Sequence, residues 1–528
     1  MNKPLKMFAN PFAMMSFNMT LQPIKMLCII PLLLTLTACD ADPADETVEP
    51  VVVDGNTDTD TDTDPDTDTD PDTGTDTGTD TGTDTGTDTG TDTGTDTGTY
   101  TDTDGDGVGD NADAFPNDAT ETTDTDGDGV GDNSDNCVSI TNEDQTDTDG
   151  DLVGNACDID DNDNGLIEIS SLEQLDRIRN NLAGTSLDDG ISLNSDNGCY
   201  IISGCNGYEL TQNLDFDTNG DGIMDANDTY YDYDGDSSNS GWLPIGTETE
   251  PFTAIFEGNG YEIRNLYINR SYDDDGTSGG HIGLFGYLDN STSVNAEIRN
   301  IGLTGELMDV TGGPYTGGLA GYMEYTTITS SYTTGKVSGA GSNVGGLAGY
   351  MRYANITSSY TTGTVTGGAN YTGGLVGQTL FSSIVTSYTT ASVSAQYGTG
   401  GLIGQAVNNN IVASYATGTV AGGNYTAGLI GRVFDSSMTA SYWATDSSLQ
   451  GNPVGQNNDS TVDAIGATLD ELKCPTAASD STCLTGETLY EGWGAIDHDD
   501  DDTTDPISPW IFGDSSTLPT LDMSITIP

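Results

Sequence analysis

Apolar residues fall in columns along the second half of the chain. Leu319, Leu347, Leu375, Leu402 and Leu429 recur at steps of 28, 28, 27 and 27 residues, and Ile328, Ile356, Ile384, Ile411 and Met438 keep the same steps. So do Tyr332, Tyr360, Tyr388, Tyr415 and Tyr442, and so do Val337, Val365, Val393 and Val420. Each unit reads as short β-prone runs separated by Gly-Gly and Thr-Gly turns. Units too short to close a core must stack, and identical columns imply ladders of like side chains. The pattern predicts an all-β fold, a parallel β-helix (β-solenoid) with leucine and isoleucine columns inside. Paired glycines would serve corners where a Cβ clashes. The stretch Gly317 to Gly339 is nearly uncharged, although the chain carries a formal net charge of -73, because a stacked interior excludes charge.

Both ends of such a stack expose an edge and need caps. Ser170 with Glu173 has capping-box spacing ahead of Leu172, Leu175, Ile178 and Leu182, which predicts a short helix over the N-terminal end. Thr468 with Glu471 repeats the spacing, and the Cys474 to Cys483 loop with Trp493 and Trp510 is expected to close the other end.

The first hundred residues have no such periodicity. Lysines at 3, 6 and 25 precede an apolar run, Met26 to Ala38, which is too short for a stable span and has signal-peptide grammar. The following "LTAC", Leu36 to Cys39, resembles the lipobox of bacterial lipoproteins. That resemblance implies lipidation of Cys39 and a membrane partner through that anchor, with the exported chain at the outer membrane or cell surface. Asp40 resembles an inner-membrane retention signal of some Gram-negative bacteria, which leaves the membrane open. From Asp40 to Thr101, "TDTD" and "TGTD" repeats offer almost nothing to bury, so a disordered, self-repelling tether is expected, roughly 45 Å end to end as a flexible chain.

Spacing of the acids then changes. "DTDGDGVGDNAD" puts Asp102, Asp104, Asp106, Asp110 and Asp113 at positions 1, 3, 5, 9 and 12, with Gly107 at position 6. "DTDGDGVGDNSD" repeats this with Asp124, Asp126, Asp128, Asp132 and Asp135. "DTDGDLVGNACD" keeps Asp147, Asp149, Asp151, Asn155 and Asp158, but has Leu152 where glycine is expected. A fourth loop, "DTNGDGIMDAND", offers Asp217, Asn219, Asp221, Asp225 and Asp228. Alternate oxygens converging on one cation, with a glycine at the sharp turn, is the logic of the twelve-residue calcium loop, so calcium is the expected cofactor. "DIDDNDNG" from Asp158 reads as a degenerate loop with one inserted residue. The run Asp124 to Asp158 closely resembles thrombospondin type 3 repeats. The resemblance covers about residues 102 to 158 and implies a chain wound around calcium with a Cys137 to Cys157 disulfide, in a family associated with calcium binding and cell adhesion. The fourth loop resembles a dockerin or EF-hand loop.

Setting aside Cys28 and Cys39, six cysteines remain in close pairs: Cys137 with Cys157, Cys199 with Cys205, and Cys474 with Cys483. Proximity favours these three disulfides among the fifteen possible connectivities in an exported chain. After Cys39 the acids number 85 against nine bases, which excludes nucleic acid as a partner.

"GGLAG" at Gly317 and Gly345, with "GGLVG" at Gly373 and "GGLIG" at Gly400, resembles the bacterial GLUG motif. "WLPIG" at Trp242, "FEGNGYEIRNLYI" at Phe256, "GLFGYL" at Gly283 and "GLIEISSLEQLDRIRNNL" at Gly165 resemble the first, irregular coils of GLUG-motif proteins. The resemblance covers about residues 160 to 528 and implies a β-helical bacterial surface protein. The organisation expected is a signal peptide (1–38), linker (39–101), calcium repeats (102–158), cap helix with calcium loop and irregular coils (159–310), GLUG-type coils (311–446) and a C-terminal cap (447–528).

β-Helices include polysaccharide lyases and hydrolases. Carboxylate-pair chemistry needs two acids across a bond, and between Asp309 and Asp435 the only acid is Glu324. Neither His281 nor His498 stands in His-Glu-x-x-His, the zinc helix of GLUG-bearing IgA metallopeptidases. The expected protein is not an enzyme. It is adhesin-like, and Tyr322 with Tyr350, or Tyr325, Tyr353 and Phe381, would form an aromatic platform for an extracellular glycan or protein ligand. A polysaccharide-acting enzyme is the alternative.

Overall fold

The computed structural model describes residues 101–150, 152–187, 205–270, 280–291, 296–494 and 508–523. Leu166–Ile169 begins a column of parallel rungs, pairing with Gly207–Leu210, which pairs in turn with Ile255–Glu257. The column continues through Glu297–Arg299 and Thr327–Thr329 to Ser437–Ala444 and Thr461–Ala467. Three further parallel sheets complete the walls, running from Tyr267–Asn269 to Val420–Ala421, from His281–Ile282 to Asn424–Ala427, and from Phe285–Asp289 to Val454–Asn458. This is the expected parallel β-solenoid.

Register follows the sequence columns. Ile298, Ile328, Ile356, Ile384, Ile411 and Met438 are direct rung partners, and every one is buried. Leu319, Leu347, Leu375, Leu402 and Leu429 are wholly buried beside them. Each such side chain contributes roughly 1.5–3 kcal/mol relative to exposure, which is what couples neighbouring coils. Serines satisfy the polar corners. The N–H of Ser331, Ser359 and Ser387 donates to the Oγ of the serine one coil on, at 3.2, 3.3 and 3.3 Å, so a buried column carries no lost hydrogen bonds. At one corner a Cβ on Gly373 would sit 2.1 Å from the Val376 carbonyl oxygen, which only glycine avoids.

Two expectations about the caps need correction. Helix α1 (Leu172–Arg177) is capped by Ser171, whose Oγ accepts from the Gln174 N–H at 3.1 Å, while Gln174 Oε1 accepts from the Ser170 N–H at 2.8 Å. The expected Ser170–Glu173 box is therefore not formed: the cap moves to Ser171 without the reciprocal bond to its own N–H, and Glu173 pairs instead with Arg177 at 2.7 Å. Leu175 and Ile178 enter the core, as the apolar spacing predicts. Helix α2 (Leu469–Lys473) does carry the full Thr468–Glu471 box.

The C-terminal segment does not simply close the end. Its hairpin, Asp480–Leu484 with Glu487–Leu489, and its second pair, Trp510–Ile511 with Thr520–Leu521, pack against Tyr388, Tyr415 and Tyr442 on the flank of the last coils. The terminal strands Val454–Asn458 and Thr461–Ala467 stay largely half-buried or exposed among the described residues. The reason is the tyrosine column itself. Its outward rings, 4.8 Å apart from Tyr360 to Tyr388 and from Tyr388 to Tyr415, are the larger apolar surface to cover.

Candidate functional site

The acidic loops share one backbone geometry. Position 1 accepts twice: Oδ1 of Asp102, Asp124, Asp147 and Asp217 takes the N–H three residues on, at 2.7, 2.7, 2.7 and 2.9 Å. Oδ2 takes the position-6 N–H of Gly107, Gly129, Leu152 and Gly222, at 3.2, 3.1, 3.2 and 2.9 Å. Gly107 and Gly129 adopt φ 103° and 96°, and Leu152 adopts φ 81° in their place. The third loop thus keeps the fold of its neighbours despite lacking glycine. Asp151 lies outside the described residues.

In the first two loops three carboxylates converge. Asp102, Asp104 and Asp106, and likewise Asp124, Asp126 and Asp128, bring oxygens within 4.8 Å of one another. Oδ1 of Asp106 and Asp128 is held by the N–H two residues on, at 2.7 and 2.8 Å. Oδ2 of Asp104, Asp106 and Asp126 is buried with no hydrogen-bond partner. Burial, followed by neighbouring carboxylates that include Asp113 and Asp135, raises the pKa of Asp104 and Asp126. Position 12 therefore belongs electrostatically to each cluster.

Position 9 is differently employed. Asp110 clamps Thr103 through its N–H and hydroxyl, both at 2.8 Å, and Asp132 clamps Thr125 at 2.7 and 2.8 Å. Asn155 holds the Thr148 N–H at 2.8 Å in the same way. Asp158, at position 12, accepts from the Asp160 N–H at 2.9 Å. The fourth loop departs further: Asp228 takes the N–H of Thr218 and Asp225, at 2.8 and 2.9 Å, and Asp225 takes that of Asn227. Asn219 accepts from the Asp221 N–H at 2.8 Å.

Two more loops repeat the pattern where sequence reasoning missed it or set the wrong register. The run after Asp158 begins at Asp160, not Asp158. Asp160 Oδ2 accepts from the Gly165 N–H at 2.8 Å, Asn162 from Asn164 at 3.1 Å, Asn164 from Leu166 at 2.8 Å, and Glu168 from Asp161 at 2.9 Å. The signal was Gly165, which fixes position 6 and so position 1. Asp232, Asp234 and Asp236 form a third convergent trio, with the Ser237 N–H on Asp232 at 3.0 Å and Ser237 at φ 68°. Alternating acids in "DYDGD" were its signal, and Ser237 in place of glycine hid it.

Below the Asp160 loop, Glu168, Glu209 and Glu257 are successive rung partners, a column of like charge that costs stability unless offset. Amides offset part of it: Nδ2 of Asn164 and Asn259 donates to Glu209 at 3.1 and 2.8 Å. Arg299 pairs with Glu257 at 2.6 Å. Burial pushes Glu168 up to about 7 and Asp160 up to about 6.

On the solenoid wall the expected aromatic columns form. Tyr287, Tyr322 and Tyr350 stack at 4.6 and 4.7 Å. Gln378, Gln405, Arg432 and Gln456 continue their column. Tyr325, Tyr353 and Phe381 stack at 4.9 and 5.1 Å, each on a left-handed backbone corner, and remain 44%, 37% and 47% exposed. Rings stacked face to face turn their edges, not their faces, to solvent. His281 is enclosed by Tyr287, Tyr315 and Tyr322, and burial pulls it down to about 4.

Disulfides join Cys137 to Cys157 and Cys474 to Cys483. Cys205 is disulfide-bonded, while its expected partner Cys199 lies outside the described residues, as do Cys39 and His498. Among the described residues no helix is long and apolar enough to cross a membrane.

No family model matches the chain. A "Putative Gly-rich membrane protein" of Evansella cellulosilytica is 39% identical over 79 residues, 15% of this chain and 8% of that protein. The chain therefore matches only a small part of that relative's length. The solved structure of a "putative immunoglobulin A1 protease from Bacteroides ovatus" is similar with a TM-score of 0.34 and 16% identity, covering 56% of this chain and 84% of that one. At that score the likeness decides nothing about activity.

Proposed function

We propose that this chain is an exported, lipid-anchored surface protein, held to a membrane at Cys39, in which calcium stiffens the segment 102–158 and the solenoid binds an extracellular glycan or protein. The orphaned, buried oxygens of Asp104, Asp106 and Asp126 are the observation that carries the calcium reading, since a buried carboxylate oxygen without a donor calls for a cation. Carboxylate oxygens alone suit a hard ion such as calcium. Asp102, Asp104, Asp106 and Asp113 would hold one ion, and Asp124, Asp126, Asp128 and Asp135 a second. Calcium would supply positive charge and nothing chemical. The chain's own residues pre-form the cradle: Asp110 and Asp132 clamp threonines, and Cys137 to Cys157 ties the second loop to the third. Resemblance to thrombospondin type 3 repeats and to GLUG-motif coils supports the same reading, as does the membrane-protein name of the short relative.

Isothermal titration of the full chain with calcium tests this, beside the double variant Asp104→Asn and Asp126→Asn. Extracellular-type sites bind at about 10⁻⁴ to 10⁻³ M. The wild type should release heat with more than one equivalent bound, and the variant should lose the sites formed by the first two loops. A wild type indifferent to calcium at millimolar concentration would refute the reading.

A further inference from the structure

Seven arginines lie in the chain, and six pair with a carboxylate: Arg177, Arg179, Arg264, Arg270, Arg299 and Arg352. Arg432 has no carboxylate partner among the described residues, although acids outnumber bases about sevenfold. Its guanidinium instead sits among four rings, with its carbon 5.9, 5.6, 5.3 and 4.9 Å from the centroids of Tyr371, Tyr397, Tyr425 and Phe434. Nε donates to Gln456 Oε1 at 2.7 Å and Nη1 to the Tyr371 hydroxyl at 3.0 Å, so the fork is held in one orientation. No hydrogen bond engages Nη2 among the described residues.

Three consecutive coils each deliver one tyrosine to this corner. Tyr371 and Tyr425 do so from left-handed backbone, φ 56° and 60°, which disfavours a bulky side chain. The intervening coil has Gly398 at that place, φ 60°, and supplies Tyr397 from the residue before. A Cβ on Gly398 would meet the Tyr371 ring at 2.8 Å, so the glycine makes room for the neighbouring ring. The three tyrosines pack on one another and on Arg432, yet all remain half-exposed, so their outer surfaces stay open at this corner. Strained aromatics kept at an open corner around a fixed guanidinium are the pattern of a recognition site. The wall around it is nearly free of acids: between Asp309 and Asp435 only Glu324 occurs, and it is spent on Arg352 at 3.1 Å.

We propose that the Arg432 corner binds the carboxylate of an acidic sugar in a polysaccharide, with the tyrosines packing against the sugar rings. A planar fork recognises a carboxylate through paired, charge-assisted hydrogen bonds. Tyrosine adds an apolar face and a hydroxyl, which suits a ligand that alternates C–H and O–H groups. The column Gln378, Gln405, Arg432 and Gln456 runs along the solenoid axis; Gln405 is buried and accepts from Gln378 at 2.8 Å, while the half-exposed Gln378 and Gln456 offer amides on either side of Arg432 to neighbouring sugars of a linear chain. This rests on the reading of the solenoid as a ligand-binding scaffold and names the ligand class.

The test titrates the full chain, in calcium, with short oligogalacturonates, with the same oligomers as methyl esters, and with oligoglutamate. The free acid should bind at least about tenfold more tightly than the ester or the peptide. Arg432→Gln should lose about tenfold, whereas Arg352→Gln should bind as the wild type does. Equal binding of ester and acid, equal binding of oligoglutamate, or an Arg432→Gln variant with unchanged affinity each overturns the proposal. Should Arg432→Gln fail to fold, phenylglyoxal labelling of the wild type decides: oligogalacturonate must protect Arg432, and labelling at an unchanged rate overturns it. Neutral glycans and host-surface proteins arrayed beside these probes separate the two readings. Binding to one of those alone removes the acidic-sugar site and leaves the scaffold, while binding to nothing removes both.

Discussion

Tyr415 Oη donates to the carbonyl of Pro519 at 2.7 Å, a buried hydrogen bond between residues 104 positions apart. It pins the C-terminal segment to the flank of the tyrosine column, next to the Trp493 and Trp510 rings 4.1 Å apart. Tyr415→Phe keeps the ring but strands the Pro519 carbonyl. The expected cost is about 1–3 kcal/mol, read as a lower denaturation midpoint and faster protease cleavage within 508–523. An unshifted midpoint and unchanged cleavage would show that the bond does not fasten the segment.

That flank contact marks the limit of what the sequence discloses. The columns of Leu319 and Ile328 are legible because a solenoid places every repeat in the same environment, so spacing alone dictates register. No comparable repetition fixes where Trp493 and Trp510 go, since the surface they cover exists only once Tyr388, Tyr415 and Tyr442 are stacked. Adjacent candidates also compete: Ser170 or Ser171 can cap α1, and the choice falls to Ser171 while Glu173 pairs with Arg177. Asp158 hides the register of the Asp160 loop because it ends the preceding repeat. The Asp232 trio is obscured by Ser237, which accepts a glycine-like φ without advertising it.

Leu152 offers a sharper test of the third loop. At φ 81° a side chain is strained by roughly 1–2 kcal/mol, while glycine there loses about 0.5–1 kcal/mol of unfolded-chain entropy. Leu152 is 82% exposed, so little packing is sacrificed on truncation. Leu152→Gly should therefore stabilise the segment 102–158 by several tenths of a kcal/mol to about 1 kcal/mol, seen as slower proteolysis of that segment. Faster proteolysis would mean that the leucine packs on something its exposure does not reveal.

Acid should loosen the wall near His281. Burial among Tyr287, Tyr315 and Tyr322 lowers its folded pKa to about 4, below the unfolded value of about 6.5. The unfolded chain therefore binds more protons between those values, and stability from a neutral His281 is present above about 6.5 and lost as pH falls towards 4. Burial raises the pKa of Tyr287 and Tyr322, so both stay neutral throughout, and the Tyr287 hydroxyl donates to Glu324 at 3.2 Å. Thermal midpoints measured from pH 7 to pH 4 should fall less steeply in His281→Phe than in the wild type. Parallel curves would assign the acid sensitivity elsewhere.

Coil equivalence makes the last prediction. Gly345 and Gly373 are direct rung partners, as are Val344 and Thr372, so the backbone leaves Val344 in the direction in which it enters Gly373 one coil later. Excising Gly345 to Thr372 and joining Val344 to Gly373 should remove one complete coil without a gap. The leucine and isoleucine columns would close up by one member, Leu319 onto Leu375 and Ile328 onto Ile384. In a nearly one-dimensional fold each coil contacts only its neighbours, so the shortened chain should fold with a β-type circular dichroism spectrum and a modestly lower midpoint. The excised coil also carries Tyr371, so the variant should bind an acidic sugar more weakly while keeping the scaffold. Loss of the β spectrum would show that the coils are not interchangeable, and that the C-terminal flank segment, which spans Tyr388 to Tyr442, sets the length the solenoid must have.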